Sequence, residues 1–451
     1  MNLSPYPKYK PSDVEWLGDV PTHWIIYKIT HGFNKIGSGT TPRSDDSEYY
    51  NGDIPWVTTS ELRENTIVET ATKITNAAIK DYPTLRIYQK GTLLFAMYGA
   101  TVGRLGVLGI PAAVNQACAA FAEPTRFDTR FIYYWFQMRR PILVTLSAGG
   151  GQPNLSQDDL RQIRIPTPPL SEQHAIADFL DRETEKIDTL VEKKRTLIER
   201  LKEERTALIT HTVTRGLPPE AAHAAGLEPN PKLKSSGVEW LGDVPTHWEI
   251  VALRRYAKQV QTGSTPPTVE ERFYENGSIP WYGPASFDDQ IVVTRPVKMI
   301  HESAVREGVV RCFAKGTTLV VTIGATLGKV SSLEAKGSCN QQITAIELDP
   351  KIICPRFATY QIKRLEPIFR AIAPRATLPI LDQNEIADTV LAFPSIQEQE
   401  IIADFLDRET AKIDTLLTKI ETAIERLQEY RSTLITATVT GKVDVREEAA
   451  L

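Results

Sequence analysis

Cysteine is scarce in this chain of 451 residues. The four present, Cys118, Cys312, Cys339 and Cys354, form no C-x-x-C pair and are too few for a disulfide framework, which fits a reducing cytoplasm. Long hydrophobic runs are missing as well. The most apolar stretch, Leu93 to Ala122, is broken by glycines, Arg104, Pro111 and Asn115, and the start, MNLSPYPKYKPSD, has no apolar segment of the signal-peptide kind. The expectation is a cytoplasmic protein with no membrane partner. Neither sign of charge dominates: 52 Lys+Arg stand against 56 Asp+Glu, a formal net charge of −4. With 41% hydrophobic and 24% charged residues the composition is that of a globular protein, and the length suggests two to four domains.

Enzyme motifs are equally sparse. Gly324 to Val330 (GATLGKV) approaches a phosphate loop but is one residue short and lacks the hydroxyl for Mg²⁺. His301-Glu302 begins an H-E-x-x-H but has Val305 where the second His belongs, so no zinc site is expected. G-x-S-x-G, a complete G-x-G-x-x-G and N-P-P-[YF] do not occur. No catalytic, metal or cofactor-binding residue is assigned.

What the sequence does contain is a repeat. VEWLGDVPTHW occurs at Val14 to Trp24 and again at Val238 to Trp248, and ADFLDRET at Ala177 to Thr184 and again at Ala403 to Thr410. Between these anchors GTTP (Gly39) matches GSTP (Gly263), NGDIPW matches NGSIPW, KGTLL matches KGTTL, GATVGR (Gly99) matches GATLGK (Gly324), and VNQ matches CNQ. A duplicated enzyme would carry acids and bases in both copies, whereas the shared residues are mainly Gly, Thr, Pro, Asn, Gln, Trp and Lys or Arg. His23 and His247 do repeat. With no carboxylate or Cys beside them in sequence, packing against Trp24 and Trp248 is their expected role.

Each copy reads as a mixed α/β globule followed by a helix that begins near Ser171 or Ser395. Leu180, Ile187, Leu190, Leu197, Leu201 and Leu208 in the first helix, and Leu406, Ile413, Leu416, Ile420, Leu427 and Leu434 in the second, follow a heptad register with charged flanks, the pattern of a coiled-coil seam. Connectivity makes the helices antiparallel, with one globule at each end and a pseudo-two-fold axis between. The expected domains are 1–170 (first globule), 171–216 (first long helix), 217–236 (linker), 237–394 (second globule), 395–441 (second long helix) and 442–451 (tail).

The joint pattern of VEWLGDVPTHW, G-x-T-P, IPW, GATxG[KR], NQ, PxPxxxEQxxIxxFLD and LITxTVTxG resembles the specificity subunit of type I restriction-modification systems, over nearly the whole chain. The resemblance implies a non-catalytic DNA-reading subunit. Its two globules would be target-recognition domains, each reading one half of a bipartite asymmetric site on double-stranded DNA, held apart by the antiparallel helices. The helices would dock two methyltransferase subunits, and restriction subunits would join the complex. S-adenosylmethionine, ATP and Mg would belong to those partners. Base edges are read by polar side chains, so the candidate DNA-binding residues are Thr58, Thr59, Ser60, Tyr98, Thr101, Arg104, Gln152 and Asn154 in the first copy, and Tyr282, Ser286, Thr326, Lys329, Arg375 and Thr377 in the second. Asn115-Gln116 and Asn340-Gln341, shared by both copies, suit a structural role or a common backbone contact. The competing class is a coiled-coil adaptor that binds only protein, against which the differing polar loops argue.

Overall fold

Residues 4–147, 154–373 and 379–447 are described by the computed structural model. The chain divides into two units, one made of residues 1–194 with 421–451 and the other of residues 195–420. The division falls inside the long helices, so each unit is a globule with one half of each helix.

The apolar runs TLLFAMYG and TLVVTIG are central strands because both of their faces are buried, which removes the polar alternation of a half-exposed strand. In the first unit, Leu93 and Phe95 point into the core shared with the helices, while Leu94 and Ala96 face a second core with Cys118 and Ala120. The five-stranded sheet runs in the order Phe33–Gly37, Cys118–Pro124, Leu93–Ala96, Leu105–Leu108, Asn65–Ile67, antiparallel except for its last pair. A three-stranded sheet, Ala113–Val114, Tyr50–Val57, Thr72–Ile74, adjoins it in sequence. The second unit repeats both: Ala257–Thr262, Ile343–Leu348, Thr318–Val321, Val330–Leu333, Val292–Val293, and Ser338–Cys339, Ile279–Tyr282, Lys298–Ile300. The duplication is therefore a duplication of topology.

The long helices run Leu170–Arg215 and Ile396–Val439. Ser395 caps the second, its hydroxyl accepting from the Glu398 N–H at 3.3 Å. The first starts one residue ahead of Ser171, and the Pro169 carbonyl takes the N–H groups of Glu172 and Gln173. Both end at a glycine in the left-handed region, Gly216 (φ 91°) and Gly441 (φ 71°), where a side chain would be strained.

Within each unit the helices are antiparallel. In the first, Gly441 abuts Pro21 and Trp24 beside Glu172, while Arg431 meets Asp188 at 3.0 Å. In the second, Gln361 bridges the carbonyls of Val213 and Ala392, while Arg205 meets Asp414 at 3.1 Å. Both ion pairs join the same positions of the repeat.

The seam needs a correction. One heptad row is as expected, with Leu180, Ile187, Leu406, Ile413 and Leu434 buried and Leu201, Leu208, Ile420 and Leu427 half-buried. The other row lies one residue further on: Leu190, Leu197 and Leu416 are 43%, 45% and 47% exposed. Thr184, Val191, Ile198, Arg205 and Thr212, with Thr410 and Thr438, are buried instead. One residue turns a helix by about 100°, so in the doublets Leu190-Val191 and Leu197-Ile198 only one member can face the partner.

Candidate nucleic-acid interface

The shared motifs build one scaffold in each unit. Trp24 is fully buried, which removes about 200 Å² from water, about 5 kcal/mol. Leaving its indole N–H unpaired would return about 1–3 kcal/mol of that. Glu172, at the start of the first long helix, prevents this: its Oε1 accepts from Trp24 at 2.8 Å and from the Tyr6 hydroxyl at 2.7 Å, and His23 Nε2 lies 2.8 Å from its Oε2. Burial, and then the Glu172 carboxylate, push the Tyr6 hydroxyl well above its usual pKa, so it stays a donor. Glu398 repeats the arrangement with Trp248 and His247, both at 3.0 Å. Each histidine, expected to pack against its tryptophan, thus also meets a carboxylate, which stands about 150 residues away in sequence.

The FLD motif has a matching clamp. Arg130 reaches Asp178 (2.7 Å) and Asp181 (2.8 Å), and the Tyr134 hydroxyl donates to Asp181. Arg356 and Tyr360 do the same to Asp404 and Asp407. An R-F-x-x-Y pair on the helices Thr129–Ser147 and Pro355–Lys363 was the overlooked signal.

At the far edge of the paired sheets the connecting turns converge. In the first unit the Asn115-Gln116 turn is bonded on one side to the strand ending at Val57, through Asn115 N–H to the Val57 carbonyl (3.0 Å). On the other it is bonded to Met97, through Met97 N–H to the Ala117 carbonyl (2.8 Å). Thr58, Thr59 and Ser60 follow Val57 in a capped turn, Glu61 accepting from the Thr58 N–H at 2.7 Å. Tyr98, exposed, follows Met97 and pairs with exposed Asn154 in an antiparallel bridge. Thr101 and Arg104 stand half-exposed in the turn after it, the Thr101 hydroxyl donating to the Tyr98 carbonyl. Seven of the eight first-copy candidates thus gather on one edge, and the eighth, Gln152, lies outside the described residues.

The second unit has the same edge. Asn340 N–H bonds the Tyr282 carbonyl (3.0 Å), Thr322 N–H the Gln342 carbonyl (2.8 Å), and Ile323 bridges Ile380 as Tyr98 bridges Asn154. Thr326 is half-exposed in its turn, and Lys329 is engaged with Asp289 at 3.4 Å, so an incoming phosphate has to compete for it. Tyr282 and Ser286 are corrections. They are 3% and 8% exposed, because aligning IPWV with IPWY makes Tyr282 the counterpart of buried Val57, not of Thr58, and Ser286 the counterpart of the capping residue Glu61. Arg375 and Thr377 lie outside the described residues.

The G-x-T-P turns close the edge. A Cβ on Gly39 would stand 1.6 Å from the Val114 carbonyl oxygen, and one on Gly263 2.1 Å from that of Cys339, so only glycine allows the approach. The Thr41 hydroxyl donates to the Gln116 carboxamide oxygen at 2.5 Å, and Thr265 donates to Gln341 in the same way. Among the described residues no group of His, Cys, Asp and Glu is placed to hold a metal ion, and no helix is long and apolar enough to cross a membrane.

Comparison with known proteins agrees with this picture. The chain is 27% identical over 279 residues to the type I restriction enzyme MjaIX specificity subunit of Methanocaldococcus jannaschii, covering 61% of this chain and 60% of that one. It is 22% identical over 220 residues to the EcoR124I/EcoR124II specificity subunit of Escherichia coli, covering 47% and 45%. The matched segments thus span less than two thirds of either relative. A chain of a solved structure concerned with complex assembly and conformational transition of the type I R-M system superposes with a TM-score of 0.66 at 15% identity, over 93% of this chain and 98% of that one, and so shares its fold. The family described as type I restriction modification DNA specificity domain matches twice, at residues 21–200 and 245–426, and the chain belongs to that family.

Proposed function

We propose that this chain is the DNA sequence-specificity subunit of a type I restriction-modification complex. Each globule reads one half of a bipartite, asymmetric site on double-stranded DNA. The long helices set the spacing and dock two methyltransferase subunits, and restriction subunits complete the assembly. The observation that carries this reading is that one clasped edge is built twice with different residues in its turns. Thr58-Thr59-Ser60 stands against Gly283-Pro284-Ala285, Tyr98 against Ile323, Arg104 against Lys329 and Asn154 against Ile380. Identical half-sites would be served by identical edges.

Catalysis is assigned to the partners, which would hold S-adenosylmethionine, ATP and Mg. Affinity is shared with them too, since phosphate neutralisation drives nonspecific binding and this chain carries 52 cationic against 56 anionic side chains. The four unpaired thiols support placing the complex in the cytoplasm.

The test is to exchange Ile25 to Ile165 for the homologous segment of a relative and sequence the methylome of a host expressing the intact system. One half of the methylated motif should change and the other should stay. A change in both halves would overturn separable reading.

A further inference from the structure

Four solvent-exposed side chains on the two edges are identical in both copies: Thr41 with Gln116, and Thr265 with Gln341. Packing does not require exposed residues to match, and the edge segments beside them do not match, Thr58-Thr59-Ser60 standing against Gly283-Pro284-Ala285 and Tyr98 against Ile323, so the agreement needs another cause. The scaffold beneath them is built to fix their position. Gly39 and Gly263 press against the backbone before the Asn-Gln turn. Trp56 and Trp281 donate their indole N–H groups to the Thr40 and Ser264 carbonyls (3.3 and 3.0 Å), and Tyr50 and Tyr274 donate to the Pro42 and Pro266 carbonyls (both 2.7 Å).

The chemistry of the pair is directional. Because each threonine hydroxyl donates to the carboxamide oxygen, the carboxamide nitrogen is turned away, and among the described residues no acceptor takes its protons. Each edge therefore presents one oriented, neutral N–H donor pair, set between two segments that differ from copy to copy. A donor that reads a base would have to differ between half-sites that differ. A donor to a phosphate oxygen is the same at every sequence.

We propose that Gln116 and Gln341, each oriented by its threonine, bind the DNA sugar-phosphate backbone at corresponding places in the two half-sites and set the register in which the neighbouring residues read bases. This rests on the DNA-reading assignment above and deepens it.

The decisive variants are Gln116→Glu and Gln341→Glu in the chain assembled with its methyltransferase partner. Glutamate still accepts the threonine hydroxyl, so the clasp is kept, but a negative charge now faces the phosphate. Binding should fall about 10-fold, equally for a duplex carrying the methylome-defined site and for a scrambled duplex, with the motif unchanged. A neutral methylphosphonate at the contacted linkage should restore most of the loss. Wild-type complex supplies a second measurement that needs no variant: methylphosphonate scanning should find one sensitive linkage at the corresponding position of each half-site. Affinity within 2-fold of wild type for both variants, an altered base preference in either half, or sensitivity in neither half would overturn the proposal. If wild-type complex fails to prefer its methylome-defined duplex over the scrambled one, the DNA-reading assignment itself falls, and that outcome is distinct from the others.

Discussion

The carboxylates Glu172 and Glu398 do the same work in different company. Both accept from a tryptophan and face a histidine. Glu172 also takes the Tyr6 hydroxyl, and its side chain is 5% exposed against 12% for Glu398. The cause is what covers each site. In the first unit the segment after the second helix folds over the lead motif and the residues before it: Lys442 donates to the Asp19 carbonyl, Asp444 N–H to the Ser4 carbonyl, and Arg446 lies over the Tyr6 ring. In the second unit the first helix runs on into the short helix Pro219–Ala224 and a connecting segment. Identical motifs thus acquire different burial from unlike flanking chain, and a charge shut away from water depends more heavily on its donors.

The largest effect that can sharpen this comparison is on the target. Adding one heptad to each helix at the mirrored positions after Lys194 and Ile420 keeps both rows of the seam and lengthens each helix by about 10 Å. At 3.4 Å per base pair that matches about three pairs, with a rotation of roughly 100°. Both half-sites should stay as they are, while the preferred spacer grows by about two to four pairs. A library with fixed half-sites and randomised spacers measures this, and an unchanged preference in a folded, partner-bound variant breaks the idea that two independent readers are joined by a ruler.

Next in size is the carboxylate itself. Glu172→Ala strands three donors and Glu398→Ala two, so the losses of stability should be about 3 and about 2 kcal/mol. Denaturant unfolding of the two variants checks this. Equal losses would show that Tyr6 and the covering tail add nothing.

The smallest expected loss of stability belongs to the seam. Ile198→Ala should cost about 2–3 kcal/mol and the adjacent Leu197→Ala less than about 1 kcal/mol, since only the former empties a packed site. Unfolding midpoints measure both, and the reverse order would restore the register that leucine spacing suggests.

That last case shows where the sequence runs out. The repeat, the mixed α/β globules and the paired helices were legible because identical strings such as VEWLGDVPTHW and ADFLDRET mark both copies. The seam was legible in one row only: leucine is the commoner seam residue, and nothing local says that Val191 and Ile198 turn inward while Leu190 and Leu197 face water. The gathering of Thr58, Tyr98, Thr101 and Asn154 on one edge follows from motif order. Tyr282 was misplaced because a polar hydroxyl outweighed its register against Val57. The Glu172–His23 pair was hidden by its separation in sequence, although the constant offset between the two EQ dipeptides pointed to it.

The division of the chain has a consequence for its synthesis. The second unit is one continuous segment, residues 195–420, and can close as soon as that segment has emerged from the ribosome. The first unit contains residues made before that segment, yet its core includes Leu434, Ile435, Val439 and Val445, which are made after it. The usual order of a nascent chain, amino-terminal domain first, is therefore inverted. Until Leu434 to Val445 arrive, Trp24, Phe179 and Leu180 lack part of their cover, and that waiting period is when the first unit is most open to aggregation and to chaperones.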